Sequence, residues 1–101
     1  MFSISRAGPG EIKLSGRFDA SRADEADAFL ATVTGSCRVD LKDLEYISSA
    51  GLGILLKAQK RLMASKNGLV LANMNKLVRD IFRLARFDMI FTIEAPPDQL
   101  S

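Results

Sequence analysis

The chain of 101 residues contains no histidine, no tryptophan and a single cysteine, Cys37. Because histidine is the commonest general base and metal ligand, its absence argues against the usual hydrolytic and metal-dependent active sites. One cysteine cannot form a disulfide within the chain, so we expect a cytoplasmic protein in which Cys37 is a small buried apolar residue. No pair of acids, thiol with a base or metal cluster has catalytic context. We therefore expect neither an enzyme nor a bound cofactor or metal.

The chain also lacks long apolar runs and a strong excess of either charge. No apolar stretch approaches the ~20 residues that a membrane span needs, and no signal peptide is visible. The formal charge is +2, and the basic residues are scattered, which argues against direct binding of nucleic acid. Hydrophobic residues make up 48% of the chain, which is enough for one core. We expect no membrane insertion.

Strand and helix patterns alternate along the chain. The first half is predicted to contain strands around Phe2–Ile4 and Ile12–Leu14 joined by a turn at Ala7–Gly10, a helix near Arg22–Thr32 capped by Ser21 and ended by Gly35, and a strand at Cys37–Leu41 that Tyr46–Ile47 extends or resumes. The second half is predicted to contain a helix from Ser49 to about Ser65, a turn at Asn67–Gly68, a strand at Leu69–Ala72 buried on both faces, a helix capped by Asn75 and running through Ala85, and a strand at Met89–Ile93.

This β-β-α-β-α-β-α-β order predicts an α/β fold. Right-handed crossovers require a mostly parallel central sheet, with an antiparallel N-terminal hairpin at its edge and about three principal helices. We find no internal repeat and no linker. We therefore assign one domain to residues 1–95 and a polar C-terminal tail to residues 96–101.

The junction between the central strand and the second helix carries the most informative residues. Ser48 and Ser49 end the strand, and an apolar helical pattern begins directly after them. Backbone N–H groups at a helix start have no intrahelical partner, so a hydroxyl there can cap the helix or carry a phosphate. From these residues alone we interpret Ser49 as a plain cap of the helix, and a phosphate acceptor is the alternative interpretation. Gly51 and Gly53 either allow close packing of this turn or keep its surface small enough for another backbone to approach.

A helical wheel separates the two sides of this second helix. The apolar side holds Leu52, Leu55, Leu56, Leu62 and Met63, and the other side holds Gly53, Lys57, Lys60 and Arg61, with Ile54 near its edge. Gln59 falls in the middle of the apolar side, where we expect a partly covered amide that bonds to the backbone.

Two charge clusters have simple explanations. Asp19, Asp24, Glu25 and Asp27 are typical of the charged start of a helix. Lys76, Arg79, Arg83 and Arg86 are predicted to lie on one face of the third helix. We interpret that row as a solvated face, and a surface for an acidic partner is the second interpretation.

The sequence resembles the STAS domain of bacterial anti-sigma factor antagonists. The matching segments are Gly10–Ala20, Val39–Leu41, Tyr46–Gly53, Gly68–Leu71, Val78–Phe82 and Phe87–Asp88, and they follow one another in order over nearly the whole chain. The resemblance implies that a partner kinase, itself an anti-sigma factor, phosphorylates a serine at the start of the second helix. The unmodified antagonist would bind that partner and release a sigma factor. Phosphorylation would break the complex and a phosphatase would restore it.

Carried over residue by residue, the family's phosphoserine falls on Ser49, and the resemblance therefore implies that Ser49 is both the cap of the second helix and a phosphate acceptor. Ser48 is the alternative acceptor, because it stands where many members have aspartate, and Ala50 stands where a second serine is common. Arg86 and Phe87 occupy a region in which members often have glycine. The predicted partner-binding residues are Arg17, Phe18, Asp19, Ser48, Ser49, Ala50, Gly51, Gly53, Ile54 and Lys57.

Two other functions remain open at this point. The chain could be a STAS accessory subunit of an ABC-type lipid transport complex, bound to an ATPase and not switched by phosphate. It could also be a small-ligand-binding domain that uses a crevice at the strand ends. The sequence leaves the oligomeric state open.

Overall fold

A computed structural model describes residues 1–64 and 68–94, apart from the side chain of Asp88. The strands are β1 (Ser3–Gly8), β2 (Glu11–Phe18), β3 (Cys37–Ile47), β4 (Leu69–Ala72) and β5 (Thr92–Ile93), and the helices are α1 (Ala23–Leu30), α2 (Ser49–Met63) and α3 (Lys76–Leu84). Short 3-10 turns lie at Ala20–Arg22 and Phe87–Met89. The predicted order of strands and helices is confirmed. The predicted turn at Asn67, the end of the second helix near Ser65 and the boundary with the tail lie outside the described residues.

The five strands form one sheet in the order β1-β2-β3-β4-β5. The β1–β2 pair is antiparallel and every later pair is parallel, as predicted. Because each right-handed crossover advances in the same direction, all three helices pack on one face of the sheet. Along β2, Ile12, Leu14 and Phe18 are fully buried. Lys13, Ser15 and Arg17 alternate with the buried positions and face the other, polar side.

One expectation about β4 is wrong, because the polar face of the sheet has no helix packed on it. We predicted a strand buried on both faces, but Val70 is partly exposed because no helix covers that side. Ion pairs lie on this polar face instead. Arg38 binds Glu11 at 2.6 Å and Glu94 at 2.9 Å, and Lys13 binds Asp43 at 2.7 Å.

The first helix begins and ends differently from the prediction. Asp19 accepts a hydrogen bond from the Ser21 amide at 3.0 Å and starts the 3-10 turn, whereas Ser21 caps nothing. The short side chain of Asp19 competes for the first free N–H groups and shifts the start of α1 to Ala23. The helix ends at Leu30, so Gly35 does not end it.

The last strand is also shorter than predicted. Met89 belongs to a 3-10 turn and is 87% exposed, and β5 contains only Thr92 and Ile93. By contrast, β3 is a single strand of 11 residues, so Tyr46 and Ile47 extend it. Asn75 caps α3 by accepting from the Val78 amide at 2.9 Å, as predicted.

Most of the predicted core is confirmed. Cys37 is buried, and the Gln59 amide bonds backbone groups at both of its atoms, Ile90 O at 3.1 Å and Leu69 N at 2.7 Å. Met63 is an error, since it is 54% exposed near the end of α2. None of the helices in the described part of the chain combines the length and apolar character required to cross a membrane.

Candidate functional site at the start of helix α2

The junction of β3 and α2 is held by Ser48. Its amide donates to Phe18 O at 2.9 Å, which ties the turn to the neighbouring strand β2. Its extended backbone lets the hydroxyl accept from the Gly51 amide at 3.1 Å, and its carbonyl accepts from Leu52 N at 2.9 Å. Ser48 is therefore the cap of α2, and the expectation that Ser49 caps the helix is wrong.

Ser49 is the first residue of α2 and is exposed. Its hydroxyl has no hydrogen-bond partner among the described residues, whereas the Ser48 hydroxyl is half-buried and occupied. Of the two serines, Ser49 is thus the one whose hydroxyl is free to react. A phosphate on it would sit at the positive end of the helix dipole.

The two glycines of the first turn have different roles. Gly51 is buried, and a Cβ on it would lie 2.9 Å from Ile47 Cγ1 and 3.1 Å from Phe18 Cγ. Close packing is therefore the reason for glycine at this position. Gly53 is exposed, and a Cβ on it would meet no atom within 4 Å. Gly53 keeps the surface beside Ser49 low and open.

Burial divides the predicted partner-binding residues. Phe18 and Gly51 are buried beneath the turn, so they support this surface and do not reach it. Gly53 and Lys57 are exposed with Ser49, and Ile54 is half-buried against the core. Ser48 and Ala50 are also half-buried.

Two charged residues lie at the end of β2, Arg17 within the strand and Asp19 directly after it. The guanidinium of Arg17 lies over the ring of Tyr46, 4.7 Å from its centre, on the polar side of the sheet. Hydrogen bonds from Ser21 to Asp19 lower the pKa of that carboxyl, which is charged at neutral pH. The bond from Ser48 N to Phe18 O brings the backbone at the end of β2, and Asp19 directly after it, next to Ser48. The side chain of Arg17 lies instead against Tyr46 on the polar side of the sheet.

Helix α1 contacts α2 through an ion pair that the sequence did not predict. Lys57 on α2 binds Asp27 on α1 at 2.9 Å, and Arg61 donates to Leu30 O at 2.8 Å. A cleft of about 290 Å³ runs between these two helices. The acidic start of the first helix was visible, but nothing in the sequence paired Asp27 with a lysine thirty residues later. Among the described residues, no three His, Cys, Asp or Glu side chains are grouped so that they could hold a metal ion.

Comparisons with known proteins agree on one family. A family model described as "Mlab, STAS domain" matches residues 4–93. BtrV of Bordetella bronchiseptica, described as a candidate anti-sigma factor antagonist, is 37% identical over 84 residues, which are 79% of this chain and 72% of BtrV.

Solved structures show the same fold. A candidate anti-sigma factor antagonist from Thermotoga maritima matches with a TM-score of 0.78 at 19% identity, over 97% of this chain and 89% of that protein. The anti-sigma factor antagonist SpoIIAA in its unphosphorylated form matches with a TM-score of 0.74 at 16% identity, over 97% and 91% of the two chains. The phosphorylated form of SpoIIAA, from Bacillus, matches with a TM-score of 0.67 at 15% identity, over 97% and 95% of the two chains.

Proposed function

Because this chain belongs to the STAS domain family, which includes anti-sigma factor antagonists, we propose that it is an antagonist switched by phosphorylation of Ser49. In its unmodified form it binds an anti-sigma factor that is also a serine kinase, and a sigma factor is released. Phosphorylation of Ser49 ends that complex, and a phosphatase restores it. The chain is then a substrate of the kinase and not an enzyme.

The observation that carries this proposal is the free, exposed hydroxyl of Ser49 beside the open surface at Gly53. A kinase needs a hydroxyl that it can reach, and Ser48 is the poorer substrate because its hydroxyl is engaged with Gly51 N. SpoIIAA, a structural relative, has been solved in both phosphorylated and unphosphorylated forms. That fact supports a switch of the same kind here.

The position of Ser49 also explains how a phosphate could act without unfolding the domain. A phosphate of charge about −1.5 to −2 is favoured at a helix N-terminus by about 0.3–1 kcal/mol at an exposed site. The fold should therefore tolerate it. On the surface, however, the phosphate would face a partner next to Gly53 and Ile54 and would have to lose its hydration there. The switch then works by changing the contact surface.

Phosphorylation by the cognate kinase tests the acceptor. Intact mass should rise by one phosphate with ATP and the purified kinase, and Ser49→Ala should abolish the rise. Ser48→Ala is the matched control and should still be labelled, after its circular dichroism spectrum has confirmed that it is folded. Labelling that survives Ser49→Ala and disappears in folded Ser48→Ala would move the site to Ser48.

Titration calorimetry against the purified partner tests the surface. Ser49→Asp should weaken binding at least ~10-fold, which corresponds to about 1.4 kcal/mol. Gly53→Arg should weaken it by steric block, because Gly53 is open and exposed. Lys76→Glu on α3 should matter much less. Loss of binding only in Lys76→Glu would transfer the interface to the basic side of α3.

The same variants separate the alternatives left open by the sequence. An accessory subunit of a lipid transport complex would bind its ATPase equally well with Ser49→Asp and would not be labelled by a kinase. A small-ligand-binding domain would retain a small molecule in native mass spectrometry. The described strands give no support to the small-ligand-binding function, because they follow one another in sequential order without the reversal that forms a crevice at the strand ends.

A further inference from the structure

One end of the molecule carries exposed apolar side chains among arginines. Leu84 is 85% exposed and Met89 is 87% exposed, and both line an open depression together with Arg83 and Arg86. Ile90 and Met63 follow beside them and border a second hollow at the start of β4. We call this group the basic-apolar end: Met63, Arg83, Leu84, Arg86, Met89 and Ile90. Four of the six exposed large hydrophobic side chains of the described residues belong to it, so the exposure is concentrated.

The basic-apolar end lies opposite the candidate switch. Helix α2 starts with Ser49 at the carboxyl ends of the strands, whereas α3 finishes at their amino ends. The Gln59 amide fixes this placement, because it bonds both Ile90 O and the first residue of β4, Leu69. A partner that covers Ser49 would therefore leave the basic-apolar end free.

Arg86 has a costly backbone conformation. Arg86 lies beyond the end of α3, so the prediction that it shares a face of this helix with Lys76, Arg79 and Arg83 is wrong. Its backbone adopts the left-handed region, with φ 60° and ψ 26°. Glycine is the usual residue at such a helix end, since a Cβ is unfavourable there. No described acidic side chain pairs with Arg86, and Arg83 has only an exposed pair with Asp80 at 3.2 Å. Arg86 thus places a cation at a strained position beside Leu84 and Met89.

We propose that the basic-apolar end binds the surface of an anionic membrane. Arginines attract acidic headgroups, and protruding leucine, methionine and isoleucine side chains enter the boundary between headgroups and acyl chains. Leu84 and Met89 protrude almost fully into solvent, as do side chains that enter a lipid boundary. A second copy placed on this end would bring arginines against arginines.

Vesicle co-sedimentation tests the proposal with the full chain. The probes are vesicles of phosphatidylcholine with about 30% phosphatidylglycerol, and vesicles of phosphatidylcholine alone. We expect half of the protein to bind the anionic vesicles at a lipid concentration on the order of 1 mM, weaker than the ~10⁴ M⁻¹ of a single myristoyl chain. Binding should fall as salt rises and should be absent with the neutral vesicles.

Three variants distinguish the basic-apolar end from general attraction. Leu84→Gln with Met89→Gln keeps every charge and should weaken binding at least about tenfold. Arg86→Gly should weaken it about fivefold, the equivalent of ~1 kcal/mol for one basic residue. Leu77→Gln is the matched control, since Leu77 is an exposed leucine two turns earlier on α3, and it should bind like the parent.

Three results would overturn the proposal. These are no binding of the parent to anionic vesicles at several times that lipid concentration, full binding by the Leu84→Gln, Met89→Gln variant, or an equal loss in Leu77→Gln. Protection of residues 84–90 from hydrogen exchange by an acidic protein partner, without vesicle binding, would assign this end to that protein.

Discussion

Ser48 and Ser49 are adjacent and chemically identical, but only Ser48 has a structural duty. Its hydroxyl accepts from Gly51 N, one of the orphan donors at the start of α2. The hydroxyl of Ser49 has no partner among the described residues. The hydroxyl of Ser48 therefore stabilises the start of α2, whereas the hydroxyl of Ser49 remains available for modification.

Substitution by alanine should separate these roles. Ser48→Ala should lower the free energy of unfolding by about 1 kcal/mol, the usual loss for a capping hydroxyl. Ser49→Ala should change it by less than ~0.5 kcal/mol, as expected for an exposed surface position. Urea denaturation measures both. Equal losses would mean that Ser49 also holds the helix.

The strain at Arg86 should be visible as stability gained on its removal. Arg86→Gly should raise the free energy of unfolding by about 1 kcal/mol, because glycine adopts the left-handed region without a Cβ clash. Arg83→Gly, three residues earlier and inside α3, should lower it by about 1 kcal/mol through the helix propensity of glycine. Thermal melts of the two variants should move in opposite directions, and a shared direction contradicts this account of Arg86.

At the scale of the element, α2 is positioned by the contact of its first turn with the sheet. Gly51 brings the helix backbone close to Ile47 on β3 and Phe18 on β2. Gly53, half a turn later, contacts nothing that a Cβ would disturb. The pair offers a comparison within one helix turn.

Alanine at these two positions should have opposite effects. Gly51→Ala should lower the free energy of unfolding by about 1–2 kcal/mol, because the new Cβ overpacks the junction. The cost of this overpacking exceeds the gain in helix propensity. Gly53→Ala should raise it by about 0.5–1 kcal/mol, because only the propensity changes. Urea denaturation of both variants checks the signs. A stabilised Gly51→Ala would show that the turn can move away from β3.

At the scale of the whole molecule, the ion pair of Arg38 and Glu94 joins β3 to the residue after β5 across the polar face of the sheet. The hydrogen bonds from Arg38 lower the pKa of Glu94 from its ordinary value of 4.5. A lowered pKa contributes stability that is present above the ordinary value and is lost as the pH falls through the folded-state value. The lowered pKa values of Asp19 and Asp80 act in the same direction.

Stability should therefore fall in acid, and Glu94 should account for part of the fall. The urea midpoint of the parent should decrease as the pH is lowered below about 4.5. Glu94→Gln should be less stable than the parent at pH 7, and the difference in stability should shrink as the pH falls below about 4.5. A constant difference between the two proteins at all pH values would mean that the charge of Glu94 plays no part.

The sequence alone was sufficient for the order of elements and for most of the core, because these depend on periodicities of 2 and 3.6 that local residues carry. It also located the junction at Ser48 and Ser49, since two hydroxyls precede a strongly apolar helix. It failed where a local choice depended on one competing side chain, as when Asp19 and not Ser21 organised the start of the first helix. It failed again at Met89, where a short strand pattern became a 3-10 turn.

Only the tertiary structure decided which serine caps α2, because the choice between Ser48 and Ser49 depends on where β3 ends against β2. The burial of Phe18 and Gly51 and the ion pair of Lys57 with Asp27 were visible only in the tertiary structure, since these contacts join residues far apart in the chain. It also placed Leu84, Arg86 and Met89 at one end of the molecule, through the turn after α3. Contacts between distant segments depend on how crossovers stack helices on the sheet, and no local periodicity records that.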